Sequence, residues 1–77
     1  MVLDQVLDII SDVLGVSRTR LSIASTADDF PNWDSLNMLG LAMAFESAFE
    51  VTLSPDEMSE LLSVELIMET LKSKGTQ

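Results

Sequence analysis

Ser35 lies in the stretch PNWDSLNML, residues 31–39, between an acid and a leucine at the start of an apolar segment. A serine placed this way suggests a nucleophile, but a nucleophilic serine needs a general base within hydrogen-bond reach. The chain has no histidine, cysteine or tyrosine, and both lysines, Lys72 and Lys74, fall among the last six of its 77 residues. There is no G-x-S-x-G elbow and no glycine loop to cradle a phosphate. Carboxylates are plentiful, yet a glycosidase-like cleft needs more walls than this length supplies. A calcium loop starting at Asp28 or Asp29 would put Phe30 or Pro31 at its third position, where an oxygen ligand is required. Without cysteine or histidine the usual zinc and transition-metal ligands are also missing. These residues predict neither intrinsic catalysis nor a metal site.

Serine is also among the best helix N-caps, and the periodicity places a helix start here. Residues 35–50 read as a helix in which, at about 100° per residue, Met38, Leu41, Ala42, Phe45 and Phe49 share one face. Leu36, Gly40, Met43 and Ser47 fall on the opposite face, and Glu46 and Glu50 lie on a flank. Ser35 is expected to be the N-cap. A capping role does not account for Leu36 and Met43 on an outer face. A serine at a helix start also has an exposed hydroxyl, and the free N–H groups and positive dipole end there favour a phosphate attached to it. Ser35 then reads as a substrate, with the missing base supplied by another enzyme.

The remaining elements follow from similar signals. Residues 2–14 have apolar residues at 2, 3, 6, 7, 9, 10, 13 and 14, which is helical spacing, and Gly15 suits the C′ position. Residues 16–33 show neither helical nor strand period. A connection this long is unusual in so small a domain, and its Leu21, Ile23, Phe30 and Trp33 are expected to pack down. SPDE, residues 54–57, is a capping box with proline at the first helical position, opening a short helix to about Leu62. Ser63 caps a last helix striped by Val64, Ile67, Met68 and Leu71, favoured at its end by Lys72 and Lys74 and closed by Gly75. The expected fold is all-α: a small four-helix bundle, long, long, short and medium, with a long loop between helices 1 and 2. Residues 1–77 form one domain. Met38, Met58 and Met68 join Phe45, Phe49 and Ile67 among the expected interior residues; they read first as ordinary core residues, and second, being flexible, as a core that parts for a guest.

Charge narrows the partners. Thirteen acids face four bases, a net charge of −9. Between Arg20 and Lys72 there is no base, while every acid except Asp4, Asp8 and Asp12 lies there. Such a surface repels nucleic acid backbone and is steered toward basic protein patches, the alternative being that the acids only provide solubility. No apolar run approaches the roughly 20 residues of a membrane span. The start of the chain has no basic leader, and a chain without cysteine fits a reducing compartment, so a soluble cytoplasmic monomer is expected.

The segment WDSLNMLGLAMAFESAFEVTLSPDE resembles the second helix of acyl carrier proteins, whose Asp-Ser-Leu motif carries a 4′-phosphopantetheine arm on the serine. The similarity extends over nearly the whole chain, through the helix order, the long first loop, the FEV exit at Phe49–Val51 and the acidity. It implies that Ser35 bears the arm, donated by coenzyme A, with Asp34, Leu36, Met43, Glu46 and Glu50 meeting partners. Those partners would be a phosphopantetheinyl transferase and acyl-loading and acyl-transferring enzymes with basic docking patches. The pathways implied are fatty acid, lipid, polyketide or surface-polysaccharide biosynthesis. Gly40 stands where many fatty-acid carriers have an acid, four residues after the leucine of the motif. DDFPNWDSLN is similar to free-standing carriers of specialised pathways. The competing reading is an unmodified acidic helical module that binds a basic partner and carries nothing.

Overall fold

The computed structural model describes residues 2–74. Four α-helices follow in order: α1, Val2–Leu14; α2, Ser35–Phe49; α3, Pro55–Met58; and α4, Val64–Ser73. Helix α1 ends at Gly15, whose φ of 68° is the left-handed conformation that glycine adopts without steric cost. The Gly15 and Val16 amides both donate to the Ser11 carbonyl there. The turn after α2 places Glu50 in the same left-handed region, at φ 54°.

Helix α1 packs on both α2 and α4, so it forms the spine of the bundle. The core gathers Val6, Leu7, Ile10 and Leu14 from α1, Leu41, Ala42 and Phe45 from α2, and Val64, Ile67 and Leu71 from α4. The expected bundle of four helices is present. The expected face of α2 is also present, except that Met38 and Phe49 are half-buried at its margin. Met58 and Met68 are likewise half-buried against the core and not interior. Gly75 lies outside the described residues, and α4 is capped at its C-terminal end by Lys74, whose amide donates to the carbonyls of Thr70 and Leu71.

The connection between α1 and α2 is ordered without being regular. It contains two single 3-10 turns, Arg18–Arg20 and Ala27–Asp29. Leu21, Phe30 and Trp33 are buried as expected, but Ile23 stays 45% exposed. Arg18 turns back to α1, where its guanidinium meets Asp4 at 3.2 Å and Asp8 at 3.0 Å. The guanidinium of Arg20 lies 5.3 Å from the centroid of the Phe30 ring. On the far side the loop is bolted to the α3–α4 connection: the Ala27 amide donates to the Leu62 carbonyl and the Val64 amide to the Ser25 carbonyl. These backbone bonds satisfy groups that a buried irregular segment would otherwise leave unpaired.

Candidate functional site

Three consecutive side chains set the start of α2. Asn32 donates through Nδ2 to the Leu14 carbonyl at the end of α1, at 3.1 Å. Trp33 is buried, and its Nε1–H donates to the Leu61 carbonyl in the α3–α4 connection, at 2.9 Å. Asp34 accepts the Asn37 amide on its carboxylate at 2.9 Å. Asn37 returns a second bond, from Nδ2 to the Asn32 carbonyl at 2.6 Å.

The N-cap of α2 is therefore Asp34 and not Ser35. Asp34 has the extended backbone of a cap, φ −113° and ψ −179°, and Ser35 is the first helical residue. Relieved of capping, the Ser35 hydroxyl is exposed, and among the described residues no side-chain hydrogen bond engages it. Its amide and that of Leu36 precede the first intrahelical bond, so they remain free donors at the positive end of the helix dipole.

Ser35 also sits on the lip of a groove of about 360 Å³ between α2 and α3, lined besides by Met38, Leu39, Pro55, Met58 and Ser59. The apolar side chains predominate there. The wall formed by α3 is a single turn, opened by the expected capping box: the Ser54 hydroxyl accepts the Glu57 amide, and the Glu57 carboxylate accepts the Ser54 amide. Residues 59–62 continue as turns and not as helix. Lys74 holds this wall from the end of α4, its Nζ 2.7 Å from Glu57 Oε1. The lysine, followed by the Ser54 amide, keeps the Glu57 carboxyl below its ordinary value of 4.5.

Beyond the groove, the outer surface of α2 shows Leu36 77% exposed, Met43 62% and Leu39 51%. Leu36 and Met43 stand where the helical phase puts them. Leu39 was not singled out by sequence, although its spacing, three after Leu36 and four before Met43, is a helical neighbour's. Gly40 corrects the expected phase: it is half-buried, and a Cβ there would come 3.4 Å from Val13 Cγ1 on α1. The two flanking acids also differ from each other. Glu46 is half-buried and its carboxylate accepts the Leu53 amide at 2.8 Å, tying the turn after α2 back to the helix. Glu50 is exposed. Among the described residues no group of acids is arranged to hold a metal ion, and no helix is long and apolar enough to cross a membrane.

An exposed hydroxyl beside unpaired amides fits a phosphodiester, and an apolar groove at its foot fits the start of a flexible arm. Comparison with known proteins agrees with that chemistry. Residues 4–71 match the family described as the phosphopantetheine attachment site. An acyl carrier protein of Petrotoga mobilis is 34% identical over 71 residues, spanning 92% of this chain and 84% of its own. One of Clostridium acetobutylicum is 33% identical over 73 residues, spanning 95% of both. The solution structure of a holo acyl carrier protein from Nitrosomonas europaea superposes with a TM-score of 0.78 at 23% identity, covering 94% of this chain and 93% of that one. At that identity the last likeness concerns the fold.

Proposed function

The chain belongs to the acyl carrier proteins, which carry 4′-phosphopantetheine and are not themselves enzymes, and from that premise we propose that Ser35 is its attachment site. The observation that supports this most directly is the exposed Ser35 hydroxyl at the first position of α2, freed from capping by Asp34 and standing at the lip of an apolar groove. Bound there, the arm supplies a terminal thiol that holds acyl groups as thioesters. The residues of this chain do the rest. The free Ser35 and Leu36 amides would hold the phosphodiester as donors. Met38, Leu39 and Met58 offer apolar surface to whatever lies along the groove. The helix fixes where the arm begins, so the cargo reaches each docked enzyme at a high effective concentration.

On this reading Asp34, Leu36, Met43 and Glu50 meet the phosphopantetheinyl transferase and acyl-handling enzymes, with Leu39 beside them. Glu46, one of the five partner contacts expected from sequence, serves the same face from its flank while holding the Leu53 amide. Partners of this kind present an apolar patch flanked by basic groups. The acidic surface repels other copies of the chain, in keeping with a monomer, and the cysteine-free sequence is in keeping with a reducing cytoplasm. Residues 1–77 act as one carrier unit. The test is intact mass after incubation with coenzyme A and a phosphopantetheinyl transferase: the wild type gains one arm and Ser35→Ala gains none. An adduct on the alanine variant would place the site elsewhere.

A further inference from the structure

We infer that Trp33 and Asn32 are positioning residues for the modification of Ser35; this rests on Ser35 being the attachment site. In that reaction Ser35 Oγ forms a bond to the phosphorus that carries the pantetheine arm. Its proton passes to a base on the transferase, and the phosphoanhydride bond of coenzyme A breaks, releasing adenosine 3′,5′-bisphosphate. The base is assigned to the transferase, and among the described residues of this chain no cluster of side chains is arranged to hold a metal ion. What the chain contributes is the place and direction of one oxygen.

Two independent bonds fix that place. The Trp33 indole reaches the α3–α4 connection through Leu61, and the Asn32 amide reaches the end of α1 through Leu14. The two partners lie in elements that do not adjoin in sequence, on separate parts of the bundle. Asn37, in the first turn of α2, then grips the Asn32 carbonyl, which transfers the constraint to the helix itself. Consecutive Cα atoms are only about 3.8 Å apart, so a residue two or three positions from an anchor has little room to drift. An isolated helix end would fray, as helix ends commonly do; this one is pinned just before the residue that reacts.

Burial alone does not account for the pattern. An apolar side chain would fill the Trp33 site without donating to Leu61, and Asn32 is exposed overall yet spends its side chain on a carbonyl. The arrangement predicts a particular kinetic signature. Docking depends on the outer face of α2, which neither residue joins, whereas bond formation depends on where Oγ stands.

The experiment measures transferase kinetics with coenzyme A on four carriers: wild type, Trp33→Phe, Asn32→Ala and Leu71→Ala. The last loosens the core from α4 at a residue that makes neither anchor bond. Small misplacements of a reacting group cost up to about a hundredfold, so kcat should fall about tenfold or more in Trp33→Phe and Asn32→Ala. The KM for the carrier should hold within about twofold, since uniform binding is untouched. Leu71→Ala, assayed well below its melting transition, should keep its kcat. Trp33 is the only tryptophan and there is no tyrosine, so unchanged emission from Asn32→Ala shows that the indole is still buried while kcat has dropped. If Trp33→Phe does not fold, Asn32→Ala decides alone. Unchanged kcat in the folded variants, a rise confined to KM, or an equal fall in Leu71→Ala overturns the inference. An adduct on Ser35→Ala would instead overturn the site assignment.

Discussion

Substituting Asp34 and Ser35 separates two jobs done by neighbours at one helix end. Asp34→Ala removes the carboxylate that accepts the Asn37 amide and should cost about 0.5–2 kcal/mol of stability. Ser35→Ala removes only an exposed hydroxyl and should stay within about 0.5 kcal/mol. Urea midpoints for the two variants check this, and a larger loss in Ser35→Ala than in Asp34→Ala would return the cap to the serine. Sequence alone could not choose between them, because aspartate and serine are both leading N-caps and stand side by side. Burial of Trp33 decides it: with the indole turned inward, the next residue takes the extended cap conformation and the one after begins the helix. The role proposed for Ser35, in contrast, rests on sequence as well, since without histidine and with both lysines at the far end a substrate's role is the one left to it.

The elements carry the next two predictions. Gly40 lies inside α2, and an added Cβ would meet only Val13 Cγ1, at an ordinary contact distance of 3.4 Å. Gly40→Ala should therefore stabilise the protein by up to about 1 kcal/mol, the helix-propensity difference; a lowered thermal midpoint would mean that α1 and α2 cannot accept the methyl. The glycine was misplaced on the outer face because an angular count knows the core side of α2 but not that α1 also leans over its flank. The second prediction concerns acid. Lys74 holds the Glu57 carboxyl below its ordinary value, so the folded state favours the ionised form. The stabilisation is complete above about 4.5 and is lost as pH falls through the depressed value. Lys74→Met should reduce that loss to the part owed to Ser54. The difference between wild-type and variant thermal midpoints, followed into acid, should shrink as pH falls; a difference that grows would reverse the assignment. That α3 is short was visible in sequence, but neither its end at Met58 nor this ion pair was. The capping box marked where the helix starts, but its end depends on contacts made from α4.

Across the whole molecule, charge should govern encounter more than grip. Exposed charges are screened over roughly 10 Å at about 0.1 M salt, and the effect of losing one falls mainly on association rate. Glu50→Lys, at an exposed position beside the outer face of α2, should slow the transferase reaction more than Glu65→Lys on α4, and the gap should close as salt rises. Glu46→Lys is a poorer probe than its sequence position suggests, because it also removes the acceptor for Leu53 and so perturbs the turn. Glu46→Gln keeps an acceptor and isolates the charge. Equal slowing by Glu50→Lys and Glu65→Lys would mean that total charge matters and no particular face does. At this scale the sequence was most informative. Helix number, order and relative length followed from periodicity and caps, and Leu21, Phe30 and Trp33 announced that the long loop is packed. The hydrogen bonds that hold that loop could not be read, because they run between backbone groups remote in sequence.

The brevity of α3 bears on how the protein breathes. A helix of four residues closes a single turn, while α1, α2 and α4 interlock through α1. In native-state amide exchange the three long helices should behave as one cooperative unit, opening only with global unfolding, and the amides of residues 56–59 should exchange through a much cheaper local excursion that leaves the buried Leu61, and the Trp33 bond to its carbonyl, in place. The side of the groove facing α2 would then be permanent and the side facing α3 a fluctuating one, so that its width is a distribution and not a fixed dimension. Cargoes of different bulk could be met by drawing on members of that distribution, with the frame that holds Ser35 left undisturbed.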